Sequence, residues 1–265
     1  FNKWYGNVWL VVNWENDGYE IKHYKNSQMI ERGYFYKQGV SLTTRSVKGL
    51  SARYQNENHL FDMAGSAILS NNQEDTFYIL ALSNSKLFNY ILGSLNPTVG
   101  TQPEDLRRFP YHKPTSYDYD LISLLGKNNK ELKESINSTN LIEYDYTSSP
   151  LLIFDEINFE KRISKFLSNE NRLFCRIFIN EAIINIIVFK IYELNDNDKQ
   201  MVLATEGESI GSLPVDAEAR EAYFTAEIED FPLEPIRAFI EALPVKTFSA
   251  EERAAIESEF PSLYQ

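Results

Sequence analysis

The sequence predicts an α+β protein whose first part is rich in strands and whose remaining two thirds are helical. Two observations lead to this prediction. Runs of β-branched and aromatic residues, separated by turn signals, occupy residues 1–69. After them, apolar residues recur every three or four positions, as on one face of a helix. With 265 residues, the chain is long enough to bury a core as one large or two small domains.

The strand-forming runs come first in the chain. An apolar run at 8–12 predicts a strand, Asn16-Asp17-Gly18 predicts a turn, and residues 19–24 would return as a second strand. An aromatic segment between two glycines covers 33–39. Further strands are expected at 40–44, 50–54 and 60–63, with polar loops at 45–49 and 55–59 between them. Together these runs predict a mixed, β-rich first domain.

Helical periodicity begins at residue 74 and continues to the end of the chain. We expect a helix over 74–95, ended by Asn96-Pro97, one helical turn at 104–108, and a second helix over 117–136. The polar stretch 138–155 is expected to be irregular. Residues 158–193 carry the longest apolar stripe, which no proline or glycine interrupts, with Ile184 in the stripe and Asn180 and Asn185 beside it. Short helices are expected at 234–241 and 250–259.

Charge and composition change near residue 200. The net charge is -12, and the last 65 residues account for most of it, whereas residues 1–120 carry as many basic as acidic residues. Asparagine is absent after residue 200 and alanine becomes common, as expected of a helical module or of a segment joined by recombination. We therefore predict three parts: a β-rich domain (1–115) with packed helices, a long-helix spacer (116–200) and an acidic helical tail (201–265).

Familiar catalytic and metal-binding motifs are missing from the sequence. One cysteine, Cys175, and three separated histidines exclude an internal disulfide and disfavour a Cys/His metal site. There is no phosphate-binding loop and no nucleophile motif. No apolar run reaches the ~18 residues of a membrane span, and the chain, which starts at Phe1, carries no basic-then-apolar signal segment. We expect a cytoplasmic fragment of a longer protein, with no membrane partner.

An ordered set of short motifs in residues 1–115 resembles a known family. The motifs are KWYGN at 3–7, VVNWENDGYEIK at 11–22, YKQGV at 36–40, SARY at 51–54, FDMAGS at 61–66, ILALSNSK at 79–86, LNPT at 95–98 and DLRRFP at 105–110. This set is similar to the target recognition domain of the adenine-specific DNA methyltransferases of BREX phage-defence systems, the PglX kind, related to type IIG restriction-modification enzymes.

The resemblance implies that this chain selects a DNA sequence and does not itself methylate it. The family binds S-adenosylmethionine with a Gly-rich loop and holds the flipped adenine with an N-P-P-Y type motif. Asn96-Pro97-Thr98-Val99 lacks the aromatic residue of that motif, and no such Gly-rich loop is present. We therefore expect no cofactor here, S-adenosylmethionine in a catalytic domain upstream of Phe1, and double-stranded DNA and that catalytic domain as partners.

Candidate DNA-contacting residues follow from the chemistry of base recognition. Arginine, lysine, asparagine and glutamine on loops or inserted elements read base edges, and hydroxyl groups bind phosphates. The candidates in or beside the two polar loops are Arg45, Ser46, Lys48, Arg53, Tyr54, Gln55, Asn56 and His59.

Two other classes of function remain open at this point. An aromatic-rich carbohydrate-binding β module would use exposed tryptophan and tyrosine on a flat face, although the missing signal segment and the long helix count against it. A protein–protein scaffold would use the long helix as its interface.

Overall fold

A computed structural model of the chain describes residues 2–8, 10–27, 33–43, 49–60, 66–98, 100–114, 116–226 and 234–255. Its fold is α+β, as the sequence predicts. The strands are β1 (Gly39–Leu42), β2 (Ala52–Gln55) and β3 (Ser66–Ile68). The helices are α1 (Glu15–His23), α2 (Thr76–Ser83), α3 (Lys86–Leu95), α4 (Pro103–Arg107), α5 (Ser116–Asn137), α6 (Pro150–Ile153), α7 (Phe159–Ile191), α8 (Asp196–Glu206), α9 (Ala217–Ala226) and α10 (Glu234–Ala242). Residues 250–255 are also helical.

The three strands form an antiparallel sheet in the order β2-β1-β3. Gly39 pairs with Gln55, and Val40 pairs with both Tyr54 and Ile68. Trp4 flanks the outer edge of β2: its N–H donates to the Ala52 carbonyl at 2.8 Å, and its own carbonyl accepts from Tyr54 N–H at 2.9 Å. The strands predicted at 40–44 and 50–54 are thus confirmed in outline. Residues 61–63 of the next predicted strand lie outside the described residues, and Leu60 is not in a strand.

The predicted strands at 8–12 and 19–24 are wrong in the described residues. Val8 and residues 10–12 lie outside any strand, and Tyr19 to His23 are helical. For residues 19–24 the reason lies in the first part of α1. Asn16, Asp17 and Gly18 all adopt left-handed φ values of 50–70° and form a kink inside the range of α1, a conformation that these residue types tolerate best. After the kink the chain is helical, and the rings of Tyr19 and His23 stack at 4.0 Å across one turn.

The single helix predicted over 74–95 is two helices, α2 and α3, interrupted at Asn84-Ser85. The Ser85 hydroxyl caps α3 by accepting from Phe88 N–H at 3.3 Å. The Asn84 side chain instead reaches the sheet, where its amide oxygen accepts from Ala52 N–H and its amide nitrogen donates to the Ala52 carbonyl, both at 3.0 Å. This break therefore anchors β2 to the helices.

We expect Asn84→Ala to lower the free energy of unfolding by about 1–3 kcal/mol, because it leaves the buried N–H of Ala52 without its acceptor, whereas the Ala52 carbonyl keeps its bond from Trp4 N–H. Urea denaturation followed by circular dichroism measures this change. Asn71→Ala, at an exposed position on the same part of the chain, is the control and should change the free energy by less than about 0.5 kcal/mol. Equal stability of the two variants would contradict the anchoring role.

Helices α5 and α7 confirm the helices predicted over 117–136 and 158–193 and pack against each other. Only the second half of the α7 stripe is buried, around Ile184 and Val188, whereas Phe159 and Leu167 in the first half are exposed. Asn180 and Asn185, which the sequence places beside the stripe, are also buried. Asn180 donates to Asn128 and Asn129 on α5, and Asn185 accepts from Lys86 N–H.

One buried apolar cluster draws residues from all three predicted parts, from Trp4 through Leu132 to Ile240. The sheet packs on α2, α2 on α5, and α5 on α7, which also contacts α10 and the 3-10 turn Ile210–Ser212. The boundaries at 115 and 200 stay predictions. Among the helices described, none is long and apolar enough to cross a membrane.

Candidate nucleic-acid interface

One end of the sheet gathers amide side chains from three separate segments. The antiparallel register places the residues before β1, after β2 and after β3 at this same end. We call it the amide end, and its members are Gln38, Asn56, Asn58, His59, Asn71, Asn72 and Gln73. Asn56, Asn58 and the three residues 71–73 are exposed, whereas Gln38 and His59 are half-buried. Their hydrogen-bonding groups therefore lie at or near solvent, just beyond the ends of the strands.

Local hydrogen bonds hold these segments in place. In the turn after β2, the N–H of Asn56 lies 3.2 Å from Nδ1 of His59, and His59 N–H donates to the Asn56 carbonyl at 3.3 Å. After β3, the Asn72 side chain accepts from Glu74 N–H at 3.2 Å and so caps the short turn Gln73–Asp75. Gln73 connects the two segments by donating to the Glu57 carboxylate at 3.4 Å.

Because side chains alternate along β2, Arg53 and Gln55 lie on one face of the sheet and Tyr54 lies on the other. Arg53 lies on the face opposite the core helices and donates to Thr43 Oγ1 at 2.8 Å, and burial lowers the pKa of its guanidinium. Gln55 follows on the same face and is buried. Within the described part of the chain, its Nε2 has no hydrogen-bond acceptor. Asn56 and His59 are the predicted site residues that belong to the amide end.

Tyr54 lies on the core face of β2, where it is half-buried and packs against the apolar core. Its ring stacks on Phe77 with a centroid distance of 5.5 Å and an interplanar angle of 7°. Lys130 is on α5, and its ammonium lies 5.4 Å from the centroid of the Tyr54 ring. Burial raises the pKa of the Tyr54 hydroxyl. These contacts give Tyr54 a packing role in addition to any contact it makes with DNA.

Arg45, Ser46 and Lys48 lie outside the described residues. The residues that flank them can be placed, because Thr43 N–H donates to the Ser51 carbonyl at 2.9 Å and so closes the hairpin at the far end of the sheet. With four residues in β1 and a rise of about 3.3 Å per residue, the two ends are roughly 10 Å apart. Thr43 and Ser51 are therefore at the opposite end of the sheet from residues 55–59.

Sequence reasoning missed the residues that precede β1 and follow β3. Gln38, Asn71, Asn72 and Gln73 are far from residues 55–59 in the chain, and only the strand register brings them together. The available signal was the polar run Ser70-Asn71-Asn72-Gln73 directly after an apolar segment.

An aromatic surface with lysines adjoins the amide end. Tyr36 directly precedes Lys37 and Gln38, and its ring contacts Trp14 edge-on at 6.3 Å. Lys37 lies 5.9 Å from the ring centroid of Tyr34, and Tyr34 and Tyr36 are both exposed. Cations and aromatic rings side by side are typical of surfaces that bind single-stranded nucleic acid, and in a duplex only the cations would contact phosphates. Among the residues described, no group of His, Cys, Asp and Glu is arranged to hold a metal ion.

Comparison with known proteins identifies two methyltransferase relatives. No protein-family profile matches the chain. It is 32% identical over 215 residues to the adenine-specific methyltransferase BrxX of Escherichia coli O9:H4 (strain HS), covering 76% of this chain and 17% of BrxX. It is 29% identical over 123 residues to the adenine-specific methyltransferase PglX of Lacticaseibacillus casei (strain Zhang), covering 44% of this chain and 10% of PglX. The chain thus spans less than a fifth of the length of these two relatives, and it is related to the BREX-type adenine-specific methyltransferases.

Proposed function

We propose that this chain reads the target sequence in double-stranded DNA for an adenine-specific methyltransferase of a phage-defence system. The amide end of the sheet is the observation that supports this proposal most directly. Asparagine and glutamine can form paired hydrogen bonds with N6 and N7 of adenine in the major groove, an arrangement that discriminates adenine from the other bases. Exposed amides on a strand scaffold meet the geometric need for such contacts.

Phosphate contacts would come from basic side chains. Lys37 stands next to Gln38 at the amide end, and Arg45 and Lys48 are further basic candidates from the sequence. In our proposal these side chains position the duplex and carry no sequence information. The net charge of -12 does not prevent this, because the acidic residues concentrate in the last 65 residues and salt screens charges beyond about 8 Å.

The chemistry of methyl transfer would belong to another part of the same polypeptide. We propose that S-adenosylmethionine binds in that catalytic part, and that the complete enzyme acts in the cytoplasm. The support for this proposal comes from the names of the two relatives, which are called adenine-specific methyltransferases. The chain described here would contribute the choice of site.

Asn58→Ala and Asn71→Ala, made in the complete polypeptide, test the recognition role. Losing one paired amide–base contact should cost about 1–3 kcal/mol of discrimination, so that the methylated sequence becomes degenerate at one position. Sequencing methylated adenines in cellular DNA measures the change.

Asn197→Ala on α8 is the matched control, because Asn197 is also exposed and lies far from the sheet in the chain. It should leave the methylated sequence unchanged. If Asn58→Ala and Asn71→Ala both leave the methylated sequence the same as that of the parent enzyme, the amide end does not read bases.

A further inference from the structure

A short surface segment that begins at the last residue of α4 is rich in basic and hydroxyl-bearing side chains. It covers residues 107–113, and we call it the basic segment. Five of its side chains are exposed and can donate hydrogen bonds: Arg107, Arg108, Tyr111, His112 and Lys113. Arginine, lysine and tyrosine are common donors to phosphate oxygens in protein–DNA complexes. The composition of the basic segment therefore fits an anionic ligand.

Two tyrosine hydroxyl groups hold the backbone of the basic segment in place. Tyr192, directly after α7, donates to the Pro110 carbonyl at 2.9 Å. Tyr78, which is buried on α2, donates to the His112 carbonyl at 2.6 Å. Phe109 is buried in the core. Because the backbone is fixed at these points, the exposed side chains lose less conformational entropy when they bind a ligand.

The basic segment adjoins the amide end. The ammonium of Lys113, its last residue, lies 2.8 Å from the carboxylate of Asp75, which ends the short turn Gln73–Asp75. The same carboxylate accepts from the Tyr119 hydroxyl on α5 at 2.5 Å. These two hydrogen bonds, first that of Lys113, lower the pKa of Asp75 and keep it ionised. A duplex bound at the amide end would therefore lie beside the basic segment.

Ion pairs occupy two of the cations in the basic segment, and one cation is left. Arg107 pairs with Glu104 at 2.7 Å, and Lys113 pairs with Asp75. Arg108 is exposed, and within the part of the chain that the structure describes its guanidinium forms no ion pair and no hydrogen bond. Its N–H groups therefore remain available to a ligand.

The acidic residue next to Arg108 in charge is bonded to other groups. Asp105 is buried on α4, and its carboxylate accepts from the Asn96 side chain at 2.7 Å and from Gln102 N–H at 2.9 Å. These bonds, before the charge of Arg108, lower the pKa of Asp105. Asp105 weakens the positive field at Arg108 but leaves its donors unoccupied. Since hydrogen bonds between a guanidinium and phosphate are among the strong ones, an anion is the ligand that Arg108 favours.

We propose that the basic segment binds the phosphate backbone of the DNA beside the base pairs that the amide end reads, with Arg108 as its main contact. This inference rests on the proposed function, which supplies double-stranded DNA as the ligand. The Tyr111 hydroxyl would donate to a neighbouring phosphate, while its ring packs edge-on against Tyr78 at a centroid distance of 6.0 Å. Such contacts hold the duplex in position and carry no sequence information.

The salt dependence of DNA binding by the complete polypeptide tests this proposal. Arg108→Gln should weaken binding to a duplex with the methylated sequence and to a scrambled duplex by the same factor, about three- to tenfold. The plot of log affinity against log salt concentration should become less steep by about 1, because one phosphate contact is lost. Fluorescence anisotropy at several salt concentrations measures both. The sequence methylated in cellular DNA should stay unchanged.

Two further variants separate charge from position. Arg108→Lys should keep the slope of the parent, because it keeps the positive charge. Lys161→Gln is the control, since Lys161 is an exposed cation near the start of α7, whereas Tyr192 contacts the basic segment from the other end of that helix. At 1.5 Å per residue the two ends are roughly 45 Å apart. Lys161→Gln should therefore leave the slope unchanged.

An unchanged slope in Arg108→Gln would overturn the proposal. So would a loss of affinity for the methylated sequence alone, because that loss indicates a base contact. Arg108→Gln should melt within about 2 °C of the parent, since the position is exposed. Failure of the proposed function gives a different result: Asn58→Ala and Asn71→Ala then leave the methylated sequence unchanged, while Arg108→Gln still makes the slope less steep.

Discussion

Ile184→Asp should unfold the protein or bring it close to unfolding at room temperature. Ile184 lies in the buried half of α7 and is 1% exposed. An unpaired carboxylate there must either protonate or remain charged without water, and the isoleucine contacts with the core are also lost. We expect a loss of about 3–5 kcal/mol, against a total stability of about 5–15 kcal/mol for a typical domain. Thermal and urea denaturation measure the loss.

Ile186→Asp, two residues along the same helix, provides a matched control. Ile186 is 53% exposed, so its carboxylate would remain hydrated. The residue type, the new charge and the helix are identical, and only burial differs. We expect a change within about 0.5 kcal/mol. If the two variants melt at the same temperature, the buried side of α7 is assigned wrongly.

Gly126→Leu should be the second most damaging substitution, because α2 and α5 approach each other closely at this glycine. A Cβ atom at Gly126 would lie 2.6 Å from the Phe77 carbonyl oxygen and 3.1 Å from the Ala81 Cβ. The first of these contacts is with backbone, which cannot rotate away. The helices must therefore separate, which also disturbs the contact of α2 with the sheet. We expect a loss of about 3 kcal/mol in the free energy of unfolding.

Gly93→Leu is the control for this effect, since Gly93 is also inside a helix but faces open space. No atom lies within 4 Å of a Cβ built there, and the position is exposed. Because leucine is a better helix former than glycine, Gly93→Leu should be neutral or stabilise the protein by up to about 1 kcal/mol. Denaturation of the two variants under the same conditions separates close packing from helix propensity. A stabilising Gly126→Leu would contradict the close approach of α2 and α5.

The long helices were predictable from the sequence because their signal is local and repeated. Residues 117–136 and 158–193 show apolar residues at helical spacing over many turns, and α5 and α7 follow those ranges to within a few residues. The α+β class followed from the same local signals. The short strands were harder, because a run such as 8–12 has the composition of a strand whether or not a partner strand lies beside it.

The candidate site was predictable only in part. Asn56 and His59 were proposed from the sequence because they lie in a predicted polar loop, whereas Asn71 and Gln73 reach the same end of the sheet only through the pairing of β1 with β3. Whether Asn58 and Asn71 contact a base stays a prediction.

By itself, the sequence determined the α+β class, the two long helices, the acidic tail and the family resemblance, since each depends on composition or on neighbours along the chain. The tertiary structure alone decided which polar residues meet. From the sequence, Asn180 and Asn185 lie beside an apolar stripe. In the structure both are buried, and their side chains pair with Asn129 and Lys86 from other helices. Likewise, Asn84 interrupts a helix because its amide satisfies Ala52 on a strand. Hydrogen bonds between distant segments depend on which segments are close in three dimensions, and the periodicity of residues along the chain does not determine that.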